Sequence, residues 1–352
     1  MMSWLSGTGF QDMGGTGRSS IPARKQRVVV AAVITLLVCI RFYATHLQYG
    51  ETQSDFSPIW FGAKALLHGA NPYGLIGPGL VFDSRLPVLY PSTAFALAIP
   101  FSLLSELWAS LAFIALSTFL LAYGITRDGW YRLPLFASVS FVTSAQLAQW
   151  STLMTAALFI PSLAVVIAAK PQAGLPIVAA SRSTTAIKAA IIGGIALIVV
   201  SLVLFPRWPL EWLGHVRATE QLRSPLTRLG GVAILFAALR WRRPEAWLVL
   251  SMAALPQTWY SYNVLPLLTV GNTFRESGLL AIISSAGSIA TAFLVTDLYS
   301  ARTAQVGGTM LVATAYLPAV LLVLRRPNEG PVTAWMNYLS RVFRRSPERS
   351  PL

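Results

Sequence analysis

The stretch VVVAAVITLLVCIRFYATH, residues 28–46, carries a single formal charge, Arg41. A helix rises 1.5 Å per residue, so about 20 such residues cross the ~30 Å hydrocarbon core of a bilayer. Comparable runs follow at 88–104, 106–125, 133–149, 151–169, 186–205, 229–240, 245–270, 277–296 and 306–324. Inside lipid the backbone has only two ways to satisfy its polar groups, helices or a closed barrel. Barrel strands alternate polar and apolar residues, and these runs do not. The expected fold is therefore all-α, a polytopic transmembrane helical bundle of about nine to eleven segments.

Composition agrees. Of 352 residues, 55% are hydrophobic and 11% are charged, against about 25% charged in soluble domains. Mean hydropathy is +0.60. The net charge of +14 gathers at the ends, in GRSSIPARKQR before the first run and RRPNEGPVTAWMNYLSRVFRRSPERSPL after the last. Basic clusters flanking spans favour the cytoplasmic side. No separate basic domain exists to serve nucleic acid. The sole cysteine, Cys39, excludes an intrachain disulfide.

The expected organisation is a basic cytoplasmic tail (1–27), one membrane domain (28–324) and a second basic cytoplasmic tail (325–352). Two long polar intervals, 47–87 and 206–228, form the extracytoplasmic loops. Both ends inside requires an even number of crossings, yet ten simple crossings would put Arg240–Arg243 outside. Making 88–104 re-entrant or half-spanning, and 245–270 a short up-and-down pair turning at PQTWYSYN, keeps that basic cluster inside. The loops around Asp55, Gln149, His215 and Tyr260 then face outward.

Polar chemistry concentrates in SDFSPIWFGAKALLHGANPY, residues 54–73. IWFGAKALLHG reads as a short amphipathic helix on the membrane surface, with Lys64 and His68 one turn apart. Asp55, Ser57 and Pro58 suit a helix start. A carboxylate at that boundary, above a lipid-facing groove, is also placed to take a proton from an attacking hydroxyl. Trp208 and Trp212 in the second loop read as interfacial anchors. The run 151–169, taken as one crossing, would leave Lys170 at the cytoplasmic end of a span, opposite Gln149.

These residues, in order, resemble the polytopic glycosyltransferases of the GT-C fold, most closely glycosyltransferase family 87. That family opens its first outer loop with D-F-x(3)-aromatic and a later G-x-N/D-P-Y, then Y-P-P; Asp55, Phe56, Gly69, Pro72, Tyr73, Tyr90 and Pro91 match. LAQWSTL is similar to its G-Q-x-N-x-L, keeping Gln149 but with Ala148 and Ser151 at the glycine and asparagine. AAKPQ is similar to its K-P motif, through Lys170 and Pro171. LPQTWYSYN is similar to its S-P-x-x-W-x-H-H segment, keeping Pro256 and Trp259 but with Tyr262 and Asn263 at the histidines.

The resemblance implies an integral membrane hexosyltransferase acting outside the cytoplasm in the cell membrane. It would move a mannose-type sugar from a polyprenyl phosphate to a lipid or glycan acceptor, with inversion and with Asp55 as general base. Candidate substrate contacts are Lys64, His68, Asn71, Tyr73, Tyr90, Gln149, Trp259, Tyr260, Tyr262 and Asn263. His215 and Arg217 are candidates to replace the missing imidazoles. No cofactor is implied, and a monophosphate leaving group makes a metal ion less necessary. Two alternatives stay open: a transporter or lipid flippase, and a non-catalytic relative. Transporters tend to carry ionisable groups within their spans; here the acids sit in loops.

Overall fold

The computed structural model describes residues 21–344, apart from 51–53, 85, 218, 220–221, 296, 298–299 and 331. The described chain is mostly helical, with one two-residue parallel pairing, Ile76–Gly77 with Phe82–Asp83. In chain order the α-helices are α1 (Arg24–Tyr49), α2 (Ser57–Leu67), α3 (Ser92–Ala98), α4 (Glu106–Ile125), α5 (Val139–Gln146), α6 (Trp150–Ala157) and α7 (Pro171–Ala180). They continue with α8 (Thr184–Leu204), α9 (Trp208–Arg217), α10 (Pro244–Ala254), α11 (Phe274–Leu294), α12 (Ala301–Leu324) and α13 (Ala334–Arg344). Tighter 3₁₀-type segments cover Pro161–Ala169, Gly231–Arg240 and Ser261–Val270.

Five of these helices are long and apolar enough to cross a bilayer: α1, α4 with its following turn, α8, α11 and α12. Only 11% of the apolar window of α1 and 6% of that of α8 is buried, against 61% for α4. Leu36, Leu37 and Ile40 on α1, and Ile192, Val199 and Val203 on α8, stand open along their helices. Continuous apolar faces of this extent are not stable against water. Lipid is the solvent that covers them, and the chain is an all-α membrane protein.

Several expected segments fall short of a crossing. The 88–104 run becomes α3 and a tight turn ending at Leu103, about 18 Å at 1.5 Å per residue. The 245–270 run divides into α10 and Ser261–Val270, with a break over residues 255–260. The 151–169 run, expected as one crossing, does not cross. Its helix ends at Ala157, and Pro161 starts a separate tight segment packed back on α6. A proline has no N–H to continue the ladder and fits only the first turn of a new helix. The expected tails are also more structured than a basic solvated stretch: α1 begins at Arg24, and α13 lies within the C-terminal one, where Trp335 packs edge-on against Trp247.

The interior consists of two main packed clusters. One joins α2, α3, the first half of α4 and α6 around Phe56, Phe95 and Met154. The other joins α7, α10, Ser261–Val270 and α12 around Leu265, Ile177 and Tyr316. Phe56 is fully buried, stacked on Phe113 at 4.4 Å and edge-on to Phe101 at 5.5 Å. It fixes the chain at Asp55. Phe56→Ala is expected to destabilise the protein by about 3–5 kcal/mol, from lost transfer and an unfilled cavity; denaturant melts of the detergent-solubilised variant measure this.

Candidate active site

Asp55 precedes α2, and its N–H donates to the Leu147 carbonyl at 2.9 Å. The expected helix-start role falls to its neighbours: the Phe56 N–H donates to Ser54 Oγ at 3.0 Å, and Pro58 occupies the first turn. The Asp55 side chain turns inward instead, where Gln149 Nε2 donates to its Oδ2.

Gln149 is aimed by an unusual backbone. Ala148, just before it, has φ +48°, and the Gln149 N–H closes the turn on the Ser144 carbonyl at 2.8 Å. A left-handed conformation costs an L-residue about 1–2 kcal/mol, which glycine escapes. Ala148 stands where the resembling family carries glycine. Ala148→Gly relieves the strain but deletes a buried methyl, worth ~0.8 kcal/mol, so stability should move by less than about 1 kcal/mol. Ala148→Val puts a β-branched residue in that region and is expected to lose several times as much. Melting curves of the two variants test the pair.

Around this hydrogen bond lies a cavity of about 640 Å³, within the size range of small-molecule sites. It opens at the seam between the two packed clusters. Its first wall is Leu86–Tyr90, with the Tyr90 hydroxyl donating to Gln149 Oε1 at 3.2 Å. Its second wall is the turn after α10, through Gln257, Thr258, Tyr260, Tyr262 and Asn263. Asn263 is tied to that turn by Nδ2 donating to Thr258 Oγ1 at 2.8 Å.

Lys170 completes the site and corrects the expectation that it ends a span on the far face. Because the chain reverses between α6 and Pro161, Lys170 returns to Gln149. Its Nζ donates to Gln149 Oε1 at 3.4 Å and Asn263 Oδ1 at 3.5 Å. The ammonium also sits 5.1 Å from the Tyr262 ring centre and 5.7 Å from that of Tyr90, within cation–π range.

The electrostatics follow from that enclosure. Burial holds the Asp55 carboxyl above the usual carboxylate range, while the Lys170 charge and the Gln149 hydrogen bond pull it back down. Burial lowers Lys170 to about 8, against the raising influence of Asp55. Tyr90 is held above the ordinary phenol range, by burial first and then by the Asp55 charge, so it remains a hydrogen-bond donor. A carboxylate with a raised pKa is a stronger base than an exposed one, and an adjacent ammonium offsets an arriving anion. The combination suits proton abstraction next to a charged leaving group.

Of the sequence candidates, Asp55, Tyr90, Gln149, Tyr260, Tyr262 and Asn263 line this one cavity. The others do not. Lys64 and His68 lie on the outer side of α2, with Lys64 Nζ 4.3 Å from the Trp60 ring centre and His68 Nδ1 2.8 Å from the Lys64 carbonyl. The buried side of α2, through Ile59, Ala63 and Leu66, faces α3 instead. Asn71 caps a turn, accepting from the Tyr73 N–H at 3.0 Å. Tyr73 is buried and donates to the Tyr90 carbonyl at 2.9 Å, so it shapes the wall from behind.

His215 sits behind the same wall, 3.2 Å from the Val88 carbonyl and edge-on to Tyr73. Arg217, at the end of α9, is exposed and does not line the cavity. Trp208 and Trp212, expected as lipid anchors, instead pack α9 onto the site; Trp212 Nε1 donates to the Leu89 carbonyl at 2.9 Å. Trp259 faces away from the cavity into a separate recess with Arg223 and Arg228. Sequence reasoning passed over both arginines. The signal was there: two cations five positions apart around Pro225, in a loop with few acids. Comparison of the chain with family models, curated proteins and solved structures finds no match.

Proposed function

We propose that this protein is a GT-C-type glycosyltransferase, taking a mannose-type sugar from a polyprenyl phosphate and placing it on a hydroxyl of a lipid or glycan acceptor. The observation that carries this proposal is the convergence of Asp55, Gln149, Tyr90 and Lys170 on one cavity in a membrane protein. They come from four separate parts of the sequence, in the order of the motifs that resemble family 87.

In this mechanism Gln149 holds the Asp55 carboxylate toward the cavity. The acceptor hydroxyl gives its proton to Asp55 as its oxygen bonds to the anomeric carbon. The bond from that carbon to the phosphate oxygen breaks on the opposite face, and the polyprenyl phosphate leaves with the electron pair. The configuration inverts. Lys170, steadied by Asn263 Oδ1, offsets the charge gathering on the phosphate. The stacked rings of Tyr260 and Tyr262, 5.5 Å apart, offer the apolar surface on which a sugar face packs. The active site would lie on the extracytoplasmic side of the cell membrane, with both termini in the cytoplasm.

The test uses purified protein in liposomes, a polyprenyl-phosphate mannose donor and a hydroxyl-bearing glycolipid acceptor. Release of polyprenyl phosphate in step with a new glycosidic bond supports the transferase. Movement of the donor between leaflets with no sugar transferred supports a flippase instead.

A further inference from the structure

The recess that holds Trp259 is built around a buried positive charge. Arg228 is 5% exposed, and its Nη1 donates to Gln305 Oε1 at 3.1 Å. Among the described residues no carboxylate lies within 4 Å of it. The neighbouring charge is another cation, Arg223, at the mouth of the recess; burial, and then Arg223, lower the Arg228 pKa. Taking a guanidinium out of water costs several kcal/mol, and a second arginine beside it adds to that cost.

The structure nonetheless makes room for this arrangement. A Cβ at Gly308 would lie 2.7 Å from Arg228 Nε, and one at Gly307 would run into the Trp259 ring. Two successive glycines inside α12 each weaken the helix by about 0.5–1 kcal/mol, and both admit residues of this recess. The Trp259 indole N–H is buried with no partner among the described residues. Arg223, Arg228 and Trp259 thus line one recess, and among the described residues the indole N–H has no acceptor.

The recess is small, about 10 Å³ inside its mouth, room for about one oxygen atom. Its wall is shared with the large cavity through Gln257 and Thr258. The backbones of Arg223 and Gln257 pair in both directions, at 3.3 and 3.2 Å, and fix the recess to that wall. Asp55 and Lys170 are not part of it.

We infer that Arg223, Arg228 and the Trp259 indole N–H form a second, anion-binding subsite that takes the phosphodiester headgroup of an anionic acceptor lipid. This assignment rests on the proposed transferase. The donor's phosphate is bonded directly to the reacting carbon, so it stays beside Asp55 and Lys170. A cationic recess on the other side of the Gln257–Thr258 wall serves a charge farther from the reaction. One oxygen of the headgroup enters to Arg228 and Trp259, and the rest is met by Arg223 at the mouth.

Binding measurements need no turnover. Detergent-solubilised full-length protein is titrated separately with phosphatidylglycerol, inorganic phosphate and polyprenyl monophosphate, and occupancy is read by native mass spectrometry. Phosphatidylglycerol is expected to bind saturably, and Arg228→Gln and Arg223→Gln each to weaken it about tenfold or more. Trp259→Phe, which keeps the ring and removes the N–H, is expected to weaken it less. Polyprenyl monophosphate binding should be unchanged by the arginine variants and weakened by Lys170→Gln. Should Arg228→Gln fail to fold, Arg223→Gln at the exposed mouth gives the same readout.

Equal phosphatidylglycerol binding by native protein and arginine variants overturns the subsite. Loss of polyprenyl monophosphate binding in those variants assigns the recess to the donor and overturns the acceptor headgroup. Displacement of phosphatidylglycerol by equimolar inorganic phosphate overturns the lipid assignment in favour of a free-anion site. Arginine-dependent lipid binding in a protein that transfers no sugar would leave the subsite standing and remove the transferase.

Discussion

Asp55→Asn is expected to lower sugar transfer by about 10²–10⁴-fold, the usual contribution of a positioned general base, while leaving the protein folded. Asparagine keeps an oxygen for the Gln149 amide to donate to, and fills nearly the same volume. It removes only the ability to accept a proton. The stability sign is separable from the activity sign. Burial raises the Asp55 pKa above its unfolded value, so its contribution to stability is fully present below the unfolded pKa and is lost as pH rises through the folded one. The native protein should therefore lose stability as pH rises through the folded pKa, a loss that the asparagine variant, with no proton to release, does not share. Product formation and a melting curve on the same preparation give both readouts. A variant that transfers sugar at the native rate removes Asp55 from the chemistry.

The second large effect belongs to Lys170. Lys170→Gln is expected to cost about 10²–10³-fold in transfer, as loss of one preorganised stabiliser of transition-state charge does elsewhere. Its pH dependence is more diagnostic than its size. In the native protein, activity should rise with pH as Asp55 loses its proton, above the ordinary carboxylate range. It should fall again near pH 8 as Lys170 loses its own. The two groups interact, so these limbs belong to the pair. Removing the cation removes the falling limb. It also removes the influence that lowers the Asp55 pKa, so the rising limb should move to higher pH. A lysine that only packs between aromatic rings would change the rate without moving either limb.

The membrane-helical architecture was legible in the apolar runs, because lipid imposes one backbone solution on any such sequence. That Asp55, Tyr90 and Gln149 line one cavity was legible as well, through short motifs with a defined local geometry. Tyr–Pro at 90–91 opens α3, and the left-handed turn at Ala148 aims the next side chain. Lys170 was misread because hydropathy measures how apolar a run is, and not whether it turns. The run 151–169 is apolar throughout, yet Pro161 folds it back and reverses the face on which Lys170 emerges. Lys64 and His68 failed for a different reason. Helical spacing put them correctly on one face of α2 but could not say which face the rest of the protein would cover. His215, Trp208 and Trp212 drew attention by residue type, and the structure spends them on holding α9 against the cavity wall.

The central claim is that a polyprenyl-phosphate sugar enters the 640 Å³ cavity with its anomeric carbon toward Asp55 and its phosphate toward Lys170. Cryo-electron microscopy of the protein with a non-transferable donor analogue tests this directly. The expected density has the phosphate within hydrogen-bond reach of Lys170 Nζ and the sugar ring against Tyr260 and Tyr262. An analogue bound at saturating concentration elsewhere, with that cavity unfilled, would contradict it.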